Sequence, residues 1–249
     1  MNALLERTAD FFIGNFPSGR ALAVGGPAGL AWSLAALWLA GRLKRRGVRT
    51  GYTRKIFHFL IFGTAAGLQW GCGTPAVCLF GGMCSLVVFY AVWRGPGHLL
   101  YEAMARERDE PHRTFFILVP YFTTLVGGLA TNILFGPCAL AGYLVAGLGD
   151  AIGEPVGTRF GRHRYRVRSL ASVPATRSLE GSAAVLLMSA GALALAAAAS
   201  PVITLGHFGL LKIGIIAAIA ALTEAFSPHG WDNATMQVVP AALAWLWLA

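Results

Sequence analysis

The chain has 249 residues, 56% of them hydrophobic and only 12% charged, with a mean hydropathy of +0.61. A water-soluble domain carries about 25% charged residues, so the composition excludes an ordinary soluble enzyme. The net charge of +9 does not describe a nucleic-acid surface either, because the basic residues gather in short loops between long apolar runs. Four cysteines (Cys72, Cys78, Cys84, Cys138) sit in or beside apolar segments with no CxxC and no histidine at ligand spacing. They read as buried packing residues, with neither a zinc site nor a disulfide framework.

In chain order, residues 1–20 are too charged to span a bilayer and read as an amphipathic segment closed by Pro17 and Gly19. Ala21–Gly41 is the first span, long enough at a rise of about 1.5 Å per residue to cross a core of about 30 Å. The basic loop 42–55 follows, then spans over Ile56–Gln69 and Ala76–Trp93. The polar loop 94–114 has room for a short surface helix. Phe115–Phe135 and Pro137–Leu148 form the next two spans, and Gly181–Ser200 and Leu205–Phe226 two more. The last segment, Asp232–Ala249, begins with Asp232, Asn233 and Gln237 and reads as tilted or partly re-entrant. The fold class is therefore an all-α polytopic bundle of about seven or eight transmembrane helices, with residues 21–249 as one catalytic domain.

Loops 42–55, 94–114 and 151–180 carry seven, four and six basic residues, whereas the connections at 71–75, 136–137 and 201–206 carry none. This alternation predicts that the basic loops face the cytosol and the N-terminus lies outside. The Ala/Gly/Arg-rich composition points to a bacterial inner membrane.

Polar groups concentrate in Gly149–Ser182, which holds Asp150, Glu154, Glu180 and six arginines between two apolar runs. Charge near a bilayer core is expensive and usually serves a site. Asp150 and Glu154 are four residues apart, one helical face, and two carboxylates held so close call for a cation such as Mg²⁺. Arg159, Arg162, Arg164, Arg166, Arg168 and Arg177 suit phosphate oxygens, and the helix opened by Glu180-Gly181-Ser182 offers free N–H groups to an anion. These are parts that phosphoryl or nucleotidyl transfer requires. Other readings stand beside these. Gly149, Gly153, Gly157 and Gly161 recur every fourth residue, as in close helix packing, and loop arginines also set topology or touch anionic lipid.

Three further places fall on the same predicted side. Arg54 and Lys55 precede His58, a candidate proton acceptor or phosphate donor, or else a satisfied interhelical histidine. Glu224 and the pair Asp232-Asn233 bracket a Ser-Pro-His-Gly turn. Asp232 and Asn233 would reach the metal or a substrate hydroxyl, or Asp232 would cap its helix. The acids of loop 94–114 read as ordinary surface charges.

Together the blocks Arg54-Lys55-Ile56-Phe57-His58, Gly149-Asp150 to Arg159-Phe160-Gly161 with Arg177-Ser178-Leu179-Glu180-Gly181-Ser182, and Glu224, Asp232-Asn233, Pro240 resemble the polyprenol kinase family. That family comprises dolichol, phytol and farnesol kinases and the CTP-dependent diacylglycerol kinase, and it is related to phosphatidate cytidylyltransferases. Arg177 stands where the family usually has lysine. The resemblance implies transfer of the γ-phosphate of CTP, or another nucleoside triphosphate, to a lipid alcohol held in the bilayer. It also implies Mg²⁺ on Asp150 and Glu154, and nucleotide contacts from Arg54, Lys55, Arg159, Arg162, Arg177, Ser178, Glu180, Gly181 and Ser182. Asp150, His58 and Asp232 would be catalytic, with Glu224 and Asn233 in support. No nucleic-acid partner is expected, and no feature of the sequence assigns an oligomeric state. A phosphatidate cytidylyltransferase and an ion-coupled transporter are the alternatives.

Overall fold

The computed structural model describes residues 2–169, 173 and 175–249, Asn2 and Ala3 through their backbone only. Residues 170–172 and 174 of the basic loop 151–180 lie outside it. Eleven α-helices and one hairpin form most of the regular structure of the described residues: α1 Asn2–Gly14, α2 Gly19–Arg45, α3 Thr50–Gly71, α4 Thr74–Arg94, α5 Leu99–Glu102, α6 Phe115–Phe135, α7 Ala139–Leu144, α8 Ala151–Phe160, α9 Leu179–Ala199, α10 Gly209–Phe226 and α11 Asp232–Trp247. The chain is all-α, as its composition and periodicity indicate. Its surface carries Trp38, Leu187, Leu210 and Phe226 in the open, as a helical integral membrane protein's does. Among the described residues, five helical segments are long and apolar enough to cross a membrane: Gly19–Arg45, Thr74–Arg94, the run Phe115–Phe160, Leu179–Ala199 and Gly209–Phe226.

Helix ends follow local chemistry. Ser18 caps α2 by accepting from the Ala21 N–H at 3.2 Å. Gly136, at φ 51, ends α6 in a conformation that side chains resist, so the apolar run breaks there into α6 and α7. A π-type turn over Val145–Asp150 links α7 to α8. Such turns shift the register of side chains and are frequent at functional sites. Here it carries Asp150 into the interior.

Two buried clusters form the core. One joins α3, α7, α9, α10 and α11 around Phe62, Tyr143, Val185, Ile216 and Met236; the other joins α2, α4 and α5 around Leu37, Val88 and Tyr101. Small residues allow the close approaches. A Cβ on Gly142 would stand 2.4 Å from the Gln237 carbonyl oxygen, and one on Gly153 would stand 2.8 Å from Val185 Cγ2. The glycine repeat thus packs α8 against α9. Because the Gln237 oxygen is backbone and cannot swing aside, Gly142→Ala is expected to destabilise the protein by about 1–3 kcal/mol, read as a lower melting temperature in detergent.

The basic stretch is not all loop. Arg164–Val167 (β1) and Ala175–Ser178 (β2) form an antiparallel hairpin with Tyr165 opposite Arg177. The His229 N–H donates to the Arg168 carbonyl at 2.8 Å, tying the hairpin to the turn between α10 and α11. Two expectations fail. Cys72 is exposed at the end of α3, beyond the packed part of its helix. Asp109, from a loop read as surface, is 2% exposed, because the loop folds inward over the start of α3, where Thr53 donates to the Ala103 carbonyl at 3.0 Å.

Candidate active site

A polar cleft of about 280 Å³ opens where α3, α8, the hairpin, α10 and α11 converge. Ten of the expected site residues line it: Arg54, Lys55, Asp150, Glu154, Arg177, Ser178, Gly181, Ser182, Glu224 and Asp232, and Arg164 joins them. They come from four distant parts of the chain, which only the fold brings together.

At the base, Lys55 Nζ donates to Asp150 Oδ2 at 2.8 Å, with both side chains buried. His58, one turn along α3, places Nε2 2.9 Å from the Ala146 carbonyl and 3.5 Å from Asp150 Oδ2. A carbonyl only accepts, so Nε2 carries the proton and Nδ1 keeps a lone pair. Arg54 stands beside them with its Nη1 buried and without a hydrogen-bond partner among the described residues.

Glu154 does not share a cation with Asp150. Its Oε1 accepts from Arg108 at 2.7 Å and from Arg106 at 3.4 Å. The two carboxylates thus each have their own cationic partners. No group of three His, Cys, Asp or Glu side chains is poised to hold a metal ion among the described residues.

On the opposite wall Arg177 unites three elements. Its Nε donates to Glu224 Oε1 at 2.8 Å, Nη2 to Asp232 Oδ2 at 2.9 Å and Nη1 to the Ser227 carbonyl at 3.2 Å. Burial works against its charge, but the carboxylates of Asp232 and Glu224 outweigh that and hold the guanidinium more firmly protonated than usual. Asp232 therefore lines the cleft as a partner of Arg177. Ser178 accepts from the Gly181 N–H at 3.1 Å and caps α9, so that N–H is already satisfied. Ser182 shares a hydrogen bond with Tyr165 at 2.7 Å.

Four of the expected site residues lie elsewhere. Arg159 is exposed over the Phe160 ring and Arg162 is exposed beyond the end of α8. At about 100° per residue, Arg159 falls on the face opposite Gly157, which packs on α9. Glu180 turns outward to His163 Nδ1 at 2.8 Å. Asn233 donates to the Pro120 carbonyl at 3.0 Å and to Thr124 at 2.8 Å, and it borders a separate apolar cavity.

The structure adds a group that the sequence did not single out. Arg106, 3% exposed, donates to Asp109 Oδ2 at 2.8 Å and also contacts His229 and Glu154. Because the Arg106 nitrogen can only donate, His229 Nε2 accepts and the ring is neutral. Burial, followed by the cations of Arg106 and Arg54, holds the His229 pKa well below its ordinary value. With a depressed native pKa, the unfolded chain takes the proton first as pH falls below about 6.5. Stability is therefore expected to drop from that pH downward, and His229→Gln to flatten that part of the profile in a thermal-denaturation series. The nearest sequence cue to this cluster was the glycine-flanked Ser227-Pro228-His229-Gly230 turn.

The apolar cavity, of about 350 Å³, lies against the cleft and shares Arg54 with it. His58, hydrogen-bonded beside Asp150, lines its wall. One polar compartment and one apolar compartment thus meet at Arg54 and His58.

The chain is 34% identical over 120 residues to phytol kinase of Synechocystis sp., a match covering 44% of this chain and 46% of that protein. No protein-family model matches, and no solved structure does. Slightly under half of each chain is thus similar between this protein and a curated phytol kinase.

Proposed function

We propose that the protein is a lipid-alcohol kinase that transfers the γ-phosphoryl group of CTP, or another nucleoside triphosphate, to an alcohol held in the bilayer. The observation that carries the reading is Arg54: a half-buried arginine whose buried Nη1 has no hydrogen-bond partner among the described residues, placed between a cationic cleft and an apolar cavity. Phosphoryl transfer is catalysed mainly by positioning and charge stabilisation, and this junction suits both. The likeness to phytol kinase supports the same reading.

In this account the nucleotide enters the cleft from the cytosol. Arg54, Lys55 and Arg177 meet its phosphates, and Arg106 and Arg108 extend the cationic wall. The γ-phosphorus forms a bond to the lipid oxygen as its bond to the β-phosphate oxygen breaks. The hydroxyl proton passes to Asp150 or to His58 Nδ1, and the nucleoside diphosphate leaves. Magnesium bound through substrate phosphates needs only one or two carboxylates, and Asp150 and Glu154 both line the cleft. When bound, the ion would offset charge on the phosphates. The active site faces the cytosol, with the N-terminus on the other side.

The test uses CTP labelled separately at the α- and γ-phosphorus. Label from the γ position in the lipid, with CDP released, is the expected result. Label from the α position in the lipid, with pyrophosphate released, would mean a cytidylyltransferase instead.

A further inference from the structure

The apolar cavity has a direction. Cys72 and Gly73 join α3 to α4, so the two helices run antiparallel and the end of α3 lies beside the start of α4. The cavity follows α3 from Arg54 to Ala65, about 17 Å at 1.5 Å per residue. It follows α4 back from Val88 to Val77. One end therefore holds Arg54 and His58. At the other, near Cys78, stand Phe11 and Phe12 of α1. Their rings meet edge to face at 5.5 Å. Phe11 is half-buried and Phe12 is 52% exposed, so the pair lies across the end of the cavity with one ring turned outward.

The volume limits what fits. At roughly 30 Å³ for a group the size of water, 350 Å³ holds about a dozen carbons. One chain of that length fills it, whereas a second acyl chain or the rest of a long polyprenol would lie outside it. The substrate arrives from the bilayer, where its tail is already in an apolar medium, so burial adds little hydrophobic drive. Selection then rests on shape, and an overlong tail must push past α1.

We infer that this cavity is the tail site of the acceptor and that Phe11 and Phe12 set its length, making the substrate a single-chain alcohol of about ten to fifteen carbons. The inference rests on the kinase reading. Phe11 and Phe12 are specificity-determining residues in it, and they touch no reacting atom.

The test is made on the purified full chain in detergent with γ-labelled CTP. The acceptors are single-chain isoprenoid alcohols of ten, fifteen and twenty carbons, a long polyprenol and a diacylglycerol. Transfer is expected to peak at ten or fifteen carbons and to be at least about tenfold lower for the long polyprenol and the diacylglycerol. Phe11→Ala/Phe12→Ala should move the optimum to longer chains, and Phe11→Trp to shorter ones. A length profile that neither variant alters would overturn the assignment.

A second measurement does not depend on turnover. A fifteen-carbon alcohol with a photoreactive diazirine at its far end is cross-linked to the protein without nucleotide, and the adducts are mapped by mass spectrometry. Adducts on α1 or around Cys78 are expected, in the wild type and in Asp150→Asn alike; adducts only near His58, or none, would contradict the tail site. If adducts form there but no acceptor is phosphorylated, the kinase reading fails while the lipid site stands. If transfer proceeds but the adducts lie elsewhere, the tail site fails alone.

Discussion

Asp150→Asn is expected to lower phosphoryl transfer by at least about 10²-fold while the protein keeps its helical circular-dichroism spectrum. The substitution keeps the shape of the side chain but removes the charge that faces Lys55 at 2.8 Å and His58 at 3.5 Å. A purely structural ion pair predicts something different. Breaking a buried pair by removing one partner costs about 3–5 kcal/mol, whereas replacing both partners with apolar groups is often neutral. The double variant Lys55→Met/Asp150→Leu is therefore expected to recover the melting temperature that Lys55→Met loses, without recovering activity. Activity returning together with stability would assign Asp150 a structural role only.

Arg177 carries the second large effect. Its guanidinium holds Glu224, Asp232 and the Ser227 carbonyl together. Arg177→Ala leaves two buried carboxylates facing each other without a cation. A loss of about 3–5 kcal/mol in stability is expected, with loss of transfer. Arg177→Lys keeps the charge but lacks the planar fork that reaches three acceptors at once. It should fold more stably than the alanine variant and still transfer phosphate more slowly than the wild type. Denaturation midpoints and initial rates on the same preparations check both. Equal stability in the alanine variant would mean that the clamp is not holding the hairpin to α10 and α11.

What the sequence reveals depends on how local each feature is. The helices follow apolar runs of fixed period, so α4, α6 and α9 lie close to where Ala76–Trp93, Phe115–Phe135 and Gly181–Ser200 place them. Asp150 is legible because charge at the end of an apolar run is costly, whereas Lys55 and Arg177 lie in basic loops and stand out through the motifs that carry the family resemblance. The Arg106–Asp109–His229 group was not. It belongs to polar loops, where charge is ordinary, and only the fold of residues 99–109 over α3 buries it. The ion pairs of Glu154 are hidden for the same reason: helical spacing sets it near Asp150, and Arg106 and Arg108 arrive from a distant loop. Arg159 and Arg162 were assigned by charge and proximity in sequence, and helix geometry turns the first of them away from the cleft. The hairpin is hard to see in the sequence because each strand is only four residues long: Arg164–Val167 alternates charged and apolar side chains, but Ala175–Ser178 carries no such pattern to pair with it.

In the proposed reaction a cytosolic nucleotide and a bilayer alcohol meet at Arg54, His58 and Asp150. Its most direct test measures transfer of γ-labelled phosphate from CTP to a fifteen-carbon prenol by the purified protein, with Asp150→Asn alongside. Labelled lipid phosphate from the wild type, lowered at least about 10²-fold in the variant, is the result predicted. No labelled lipid with any nucleoside triphosphate, or equal transfer by the variant, would contradict it.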